Sequence, residues 1–236
     1  MSEGDSGPSG TDSGGGSFWT SLPALLTASA VLIGALVSAV VTLTNDGGGS
    51  DIVLPTTTTP PATGQHFAAM TRPLGRVYFE DDTMFVKALQ PGRPLLVLAE
   101  ADEALADVRL GARVEWVSGA KDYGVGFVCR YADAGNYYLL SVLSGGRYHI
   151  VRYRRGKPVS LTRGIQTSGA VEEAGNDVAA RCVGSDPVSL TLTVGGRDIA
   201  TARDTDGIER GNVGIRLGTS ESVVTCSFRA FELRSL

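Results

Sequence analysis

The hydrophobic pattern divides the chain into a polar tail, one long apolar segment, a polar linker and a region of short alternating runs. Residues 1–17 are rich in Gly, Ser and Asp without periodic apolar positions, which predicts a disordered tail. Residues 45–65 join a Gly/Ser stretch to a Thr/Pro stretch, a composition typical of an extended spacer. Residues 66–236 contain the alternating runs, and we expect them to fold as one domain.

Residues 18–44 predict a single transmembrane helix that contacts membrane lipid. The stretch from Leu22 to Leu43 carries no charge and, at about 1.5 Å per residue, can cross a hydrocarbon core of roughly 30 Å. A cleaved signal peptide and a buried helix are the alternatives. A signal peptide would have a basic start and a shorter apolar core, and the segment is apolar on all sides. Gly34 and Ser38 give a spacing of small residues that allows the helix to self-associate.

The region 66–236 predicts an all-β fold. Short runs alternate apolar and polar residues and are separated by turn sequences, as in the run from Val188 to Val194. Many such runs at regular spacing are typical of an antiparallel sandwich or barrel. Gly145-Gly146 and Gly195-Gly196 each separate two runs, which predicts two hairpins.

Alternation within a run also predicts which side chains face the core. In one run, Phe127, Cys129 and Tyr131 share a face that we expect to be buried, so Val128 and Arg130 would face outward. The same alternation predicts that one arginine in each of three runs faces outward. These arginines are Arg130, Arg181 and Arg216.

Composition and charge narrow the function classes. Glycine accounts for 31 of 236 residues, which suits a fold with many turns. All 21 Lys and Arg residues lie at or beyond Arg72, whereas five of the 25 acidic residues precede it. The remainder is therefore close to neutral. Without a clustered basic excess, we expect no nucleic-acid partner.

Three stretches then follow in a familiar order: Tyr123–Tyr131, Asn136–Tyr138 and Gly146–Ile150. The order continues to Phe228 and Phe231, and it resembles the concanavalin A-like lectin and glucanase domains of bacteria. It is also similar to 3-keto-disaccharide hydrolase-like and laminin-G-like modules. The resemblance implies a two-sheet antiparallel jelly-roll sandwich. The shared residues are turn glycines, strand aromatics and cysteines, which indicate a fold more than an activity.

The same resemblance implies a disulfide between Cys129 and Cys182, with Cys226 free and buried. From the residues alone, three single pairings and three buried thiols stay open. A disulfide requires an oxidising compartment, so it would place the domain outside the cell and residues 1–17 in the cytoplasm. The Thr/Pro linker, typical of extracellular stalks, favours this orientation, whereas no Lys or Arg flanks the apolar segment to decide it.

Candidate chemistry favours binding over catalysis. Sugar rings stack on aromatic side chains, and charged or amide groups bind their hydroxyls. The three outward arginines would form a basic patch on one sheet, suited to an anionic glycan or cell-wall polymer. The candidate ligand-binding residues are Arg130, Asn136, Tyr137, Tyr138, Arg181 and Arg216.

No catalytic residue and no metal ligand is assigned. A retaining glycosidase needs two carboxylates about 5–5.5 Å apart, and Glu100 and Asp102 have suitable parity but occupy a stretch typical of a loop. Asp204 and Asp206 form a candidate calcium site, since calcium binds carboxylate oxygens. The same Asp-Thr-Asp-Gly sequence is equally typical of a plain turn.

These patterns predict a single-pass membrane protein that displays a non-catalytic, carbohydrate- or cell-wall-binding β-sandwich outside a bacterial membrane. A glycoside hydrolase of the same fold is one alternative. A protein-interaction or structural module of the cell envelope is the other.

Overall fold

The computed structural model describes residues 66–100 and 103–236. The tail, the transmembrane helix and the linker predicted from the sequence lie outside these residues. Within them, no helix has the length and apolar character needed to cross a membrane.

The described part of the chain forms fifteen β-strands. In chain order they are β1 (Met70–Arg72), β2 (Gly75–Glu80), β3 (Thr83–Ala88), β4 (Leu95–Leu98), β5 (Val108–Gly119), β6 (Tyr123–Asp133), β7 (Asn136–Leu143), β8 (Arg147–Arg154), β9 (Lys157–Ser160), β10 (Gln166–Thr167), β11 (Asn176–Val183), β12 (Val188–Val194), β13 (Arg197–Asp204), β14 (Asn212–Thr219) and β15 (Val224–Ser235).

The strands form two antiparallel sheets. Sheet A has eight strands in the order β1-β2-β3-β15-β5-β11-β12-β13, and sheet B has seven, in the order β10-β8-β7-β6-β14-β4 with β9 also paired to β8. The predicted two-sheet, all-β sandwich is confirmed. Some neighbouring strands in each sheet are distant in sequence, as β6 and β14 are. Residues far apart in the chain therefore lie side by side.

The core lies between the sheets and follows from strand alternation. In β12, Val188, Leu190, Leu192 and Val194 are buried, while the Ser and Thr residues between them are partly exposed. One face of each sheet is thereby removed from water, which is the main favourable contribution to folding.

Both predicted hairpins are confirmed. Gly145 and Gly146 lie between β7 and β8, and Gly195 and Gly196 lie between β12 and β13. All four have positive φ angles, between 57° and 75°, a region that glycine adopts without steric cost. The first hairpin fixes the register that pairs Leu143 with Arg147.

The alternation fails in β6, where the prediction for Arg130 and Tyr131 is wrong. The register of β6 against β7 shifts between Cys129 and Asp133, and Arg130 has a φ of 52°. The irregularity is a β-bulge, which inserts an extra residue and reverses the faces that follow it. Arg130 is therefore fully buried, and Tyr131 packs on the outer face of sheet B.

A second bulge occurs near the end of the chain. The register of β15 against β5 shifts between Arg229 and Glu232, and Ala230 has a φ of 50°. Phe228 and Phe231, three positions apart, are consequently both fully buried. Phe231 contacts Phe67 edge-on, with ring centroids 4.8 Å apart.

The predicted disulfide is confirmed. Cys129 in β6 bonds to Cys182 in β11, so the bridge joins sheet B to sheet A through the core. Cys226 in β15 is free and buried, as expected. Burial raises the pKa of the Cys226 thiol to about 12, so the thiol stays protonated and unreactive.

Candidate functional site

The outer face of sheet B carries a groove of about 390 Å³. This volume lies within the range of roughly 300–1,000 Å³ that small-molecule sites occupy. We call it the sheet B groove. The strands that line it are β6, β7, β8 and β14, together with the loops beside them. Its lining residues include Gly124, Ser141, Arg147, His149, Tyr153 and Arg216.

Glycine forms the floor of the groove. Gly124 and Gly218, which pair across β6 and β14, line the groove. Gly126, two positions further along β6, pairs with the groove residues Arg216 and Ser141. These glycines occupy outward positions, since the residues between them in β6 and β14 are buried. The floor is therefore backbone, and a ligand can approach the sheet closely.

Two of these glycines differ in what a side chain would meet. A Cβ atom at Gly126 would lie 2.3 Å from the carbonyl oxygen of Leu140, so the sheet accepts only glycine there. A Cβ atom at Gly124 would meet only the side chain of Leu143, at 3.6 Å, which is an ordinary contact. A larger residue at Gly124 would thus enter the groove without displacing the backbone.

Alternate residues of β8 form one wall. Arg147, His149, Val151 and Tyr153 line the groove, while Ile150 between them is buried in the core. Cross-strand pairing places His149 beside Ser141. The His149 ring nitrogen Nε2 lies 3.3 Å from the Ser160 hydroxyl. Burial lowers the pKa of His149, so its imidazole is neutral at pH 7 and offers one donor and one acceptor.

A charged cluster closes one end of the groove. Arg147 donates to the Asp122 carboxylate at 3.0 Å and to the Ser144 carbonyl at 2.8 Å. The Ser220 hydroxyl also donates to Asp122. These hydrogen bonds from Ser220 and Arg147 lower the pKa of Asp122, so its carboxylate is ionised and its charge is balanced by Arg147.

Aromatic side chains form the other end. Tyr153 stacks on Tyr137 with ring centroids 4.5 Å apart and an angle of 14° between the rings. Tyr137 is only 5% exposed and belongs to an outer cluster with Val128 and Leu139. Burial raises the pKa of Tyr137 to about 12. Tyr137 therefore supports Tyr153, which is half-buried and lines the groove.

Arg216 lies across this aromatic end. Its guanidinium carbon is 5.4 Å from the centroid of the Tyr153 ring, within the roughly 6 Å of a cation–π contact. The Arg216 side chain has no hydrogen-bond or ion-pair partner within residues 66–100 and 103–236. It is the one candidate among the three arginines that the structure places in the groove.

A second hollow, of about 600 Å³, adjoins the groove and shares Asp122, Tyr123 and Arg147 with it. Trp116 lines this hollow, but the Lys121 ammonium lies 3.4 Å from the centroid of the indole ring. The Trp116 indole also donates to the Ala120 carbonyl at 3.1 Å. One face of the indole is thus already covered by a cation, which leaves it less suited to stack on a ligand.

Arg130 is a structural residue rather than a ligand-binding one. Its guanidinium donates to three backbone carbonyls, of Ala106 at 2.9 Å, Ile208 at 2.8 Å and Gly184 at 2.6 Å. It also pairs with Asp107 at 3.2 Å. The side chain is fully buried, so it fastens three loops at one end of the sandwich.

Tyr138 is likewise buried and structural. Its hydroxyl donates to Asp204 at 2.7 Å and accepts from the Ile208 amide at 3.0 Å. Burial raises the pKa of Tyr138. The bond to Asp204 links β7 of sheet B to β13 of sheet A.

The neighbouring aspartates form ion pairs. Arg152 donates to Asp204 at 2.7 Å, and Asp206 pairs with Arg152 and Arg154. The guanidinium groups occupy the oxygens that a calcium ion would need, which favours the plain turn over a cation site. Among the residues that the structure describes, no group of three or more His, Cys, Asp or Glu side chains is placed to hold a metal ion.

The last two candidates lie outside the groove. Asn136 donates to Asp133 and accepts from the Arg155 amide, so it stabilises the adjoining turns. Arg181 is exposed on β11 of sheet A. The expected patch of Arg130, Arg181 and Arg216 is therefore wrong, because one is buried and the other two lie on different sheets.

Several groove residues were not among the candidates from the sequence. Arg147 and His149 share one parity along β8, opposite to Ile150 in the core, so parity together with the Gly145-Gly146 hairpin contained the signal. Gly124 and Asp122 gave none, because their proximity to Gly218 and Ser220 comes from pairing of β6 with the distant β14.

Comparison with known proteins yields structural similarity only. No protein-family model and no curated protein matches the chain. The fold is similar to the carbohydrate-binding module CBM66 from Bacillus subtilis, at 15% identity and a TM-score of 0.49, over 72% of this chain and 92% of that one. It is also similar to a β-glucanase from Bacillus licheniformis, at 9% identity and a TM-score of 0.48, over 70% and 85% of the two chains.

A third similar structure is a xylan β-1,4-xylosidase from Bacillus halodurans C-125, at 12% identity and a TM-score of 0.49. The match covers 72% of this chain but only 38% of the xylosidase. At such identities these similarities concern the sandwich fold and assign no activity.

Proposed function

We propose that the protein is a non-catalytic carbohydrate-binding protein and that the sheet B groove is its binding site. One observation carries the proposal: a glycine floor lies between a half-buried aromatic ring and several polar side chains on the same face of the sheet. The polar side chains are Asp122, Ser141, Arg147, His149 and Arg216.

This arrangement matches the chemistry of a sugar. A sugar ring has flat C–H faces that pack on an aromatic ring and a rim of hydroxyls that need donors and acceptors. Tyr153 supplies the ring, and its stacking on Tyr137 holds it in place. His149 and Ser141, paired across β7 and β8, supply polar groups at the middle of the groove. The backbone floor leaves room for the ring itself.

The lowered pKa of Asp122 favours a binding function over hydrolysis. A glycosidase needs a carboxylic acid with a raised pKa to protonate the leaving group. Asp122 lines the groove, but hydrogen bonds from Ser220 and Arg147 lower its pKa. It is therefore suited to orient Arg147 or accept a sugar hydroxyl. Of the acids considered from the sequence, Glu100 does not line the groove and Asp102 lies outside the described residues.

The proposed location is the outer side of a bacterial membrane, with residues 18–44 as the anchor and residues 1–17 in the cytoplasm. The disulfide between Cys129 and Cys182 supports an oxidising compartment. A protein tethered there encounters cell-wall polymers and environmental polysaccharides, which we propose as its ligands.

A glycan array probed with the purified full-length protein tests the proposal. We expect binding to at least one polysaccharide or cell-wall polymer and no turnover on a broad panel of glycosides. Absence of binding to every glycan, together with a protein partner that co-purifies in defined stoichiometry, would instead support an interaction module. Turnover of any glycoside would support the enzyme.

A further inference from the structure

We infer that the ligand of the sheet B groove carries an anionic group, a carboxylate or a phosphate, and that Arg216 binds it. The inference rests on the proposed function and specifies its ligand class.

Five arginines of the described part are buried or half-buried: Arg113, Arg130, Arg147, Arg152 and Arg216. Four of them have a carboxylate partner within the chain. Arg113 pairs with Glu115 and Asp177, Arg130 with Asp107, Arg147 with Asp122, and Arg152 with Asp204 and Asp206. Arg216 is the exception among these described residues.

An arginine without a counterion in a partly buried site is unfavourable by itself, because part of its hydration is lost. An anion on the ligand would supply the missing counterion and compensate for the lost hydration. The guanidinium presents two parallel N–H groups whose geometry matches the two oxygens of a carboxylate or a phosphate. Tyr153 lies against the guanidinium and leaves its polar edge free for this contact.

No other charge in the groove takes over this role. Arg147 already donates to Asp122 and Ser144, and burial lowers the pKa of His149, so its ring is uncharged at pH 7. The Asp122 and Arg147 charges cancel at one end of the groove. The net positive charge therefore lies at the other end, on Arg216.

Two kinds of polymer carry such a group next to a sugar or polyol. Uronic acids supply a carboxylate, and teichoic-type polymers supply a phosphodiester. Both would place a planar or tetrahedral anion on Arg216 and a ring or chain over the glycine floor beside Tyr153.

The test measures binding of the full-length protein to matched charged and neutral polymers. The carboxylate arm compares polygalacturonate with its fully methyl-esterified form, and the phosphate arm compares poly(glycerol phosphate) with neutral galactan. Both comparisons are repeated with the variants Arg216→Gln and Arg216→Lys. The variant Arg181→Gln serves as the control, because it removes an exposed arginine from sheet A. Thermal unfolding verifies that each variant is folded.

We expect at least one anionic polymer to bind more tightly than its neutral match. Arg216→Gln should weaken that binding about ten- to hundred-fold, the effect of losing a hydrogen bond between charged groups. Arg216→Lys should retain part of it, and Arg181→Gln should leave it unchanged. The arm that responds identifies the anion as a carboxylate or a phosphate.

Equal binding of charged and neutral polymers, with Arg216→Gln unaffected, would overturn the inference and leave the proposed function standing. Failure of these polymers and of the whole glycan array to bind would overturn the proposed function itself.

Discussion

Arg130 shows how a single buried side chain holds one end of the sandwich together. Its replacement by Ala would remove the donor to the carbonyls of Ala106, Ile208 and Gly184 and the ion pair with Asp107. A hydrogen bond to a charged group contributes about 1.5–3 kcal/mol, and the buried guanidinium donates to three carbonyls. We therefore expect Arg130→Ala to lower the free energy of unfolding by about 3 kcal/mol or more in urea denaturation.

The matched control is Arg181→Ala, which removes an exposed arginine from a strand of the other sheet. Its effect should stay within about 0.5 kcal/mol, as for most surface substitutions. If the two variants unfolded at the same urea concentration, the structural role assigned to Arg130 would be wrong.

His149 makes stability depend on pH. Burial lowers its pKa in the folded state, whereas in the unfolded chain the pKa should be about 6.5. As the pH falls through 6.5, the unfolded state takes up a proton that the folded state does not. The free energy of unfolding therefore decreases with falling pH in this window, and the decrease ends below the folded-state pKa.

Urea denaturation of the protein and of His149→Gln between pH 7.5 and about pH 5 measures this effect. We expect the pH dependence to be shallower in the variant. Asp122 does not interfere, because its stabilising contribution is lost only near and below the ordinary aspartate pKa of about 3.9. Identical pH profiles for the two proteins would contradict a half-buried, neutral His149.

At the scale of strands, the disulfide is the covalent link between the sheets. It joins β6 to β11 across a sequence separation of 53 residues. Closing a loop of that length restricts the unfolded chain and contributes about 4 kcal/mol. We expect the double variant Cys129→Ala, Cys182→Ala to lose about this much stability, measured by urea denaturation.

Cys226→Ala provides the control, because Cys226 is equally buried but free. It reports the cost of removing one buried thiol, which is counted twice in the double variant. If the double variant lost no more stability than twice the loss measured for Cys226→Ala, the cross-link would contribute nothing.

Local sequence predicted the elements that depend on neighbouring residues. The hairpins at Gly145-Gly146 and Gly195-Gly196 and the buried face of β12 follow from turn chemistry and a period of two. The prediction failed for Arg130 and Tyr131 because one inserted residue at a bulge reverses every later face of a strand. Nothing in the local pattern around Cys129 reveals that insertion.

At the scale of the whole molecule, the groove exists only because of sheet order. β14 follows β6 by about eighty residues but lies beside it in sheet B. That neighbourhood brings Gly218 next to Gly124 and places Arg216 opposite Gly126. Parity within one strand predicts which side chains share a face, but not which distant strand lies beside it. Arg216 could thus be predicted as outward-facing, whereas its groove could not.

A pair of glycine substitutions tests whether ligands bind on the outer face of sheet B. Gly124 lies on the floor of the groove and Gly111 faces outward on sheet A. A Cβ atom at either position makes no contact closer than 3.6 Å. A Cβ atom therefore fits at both positions without moving the backbone, and valine is a residue that favours a strand.

The measurement is the affinity of the full-length protein, Gly124→Val and Gly111→Val for whichever glycan the array identifies. We predict that Gly124→Val fills the floor and weakens binding at least about ten-fold, whereas Gly111→Val binds as the unmodified protein does. Undiminished binding by a folded Gly124→Val, or an equal loss in Gly111→Val, would contradict the placement of the site in the sheet B groove.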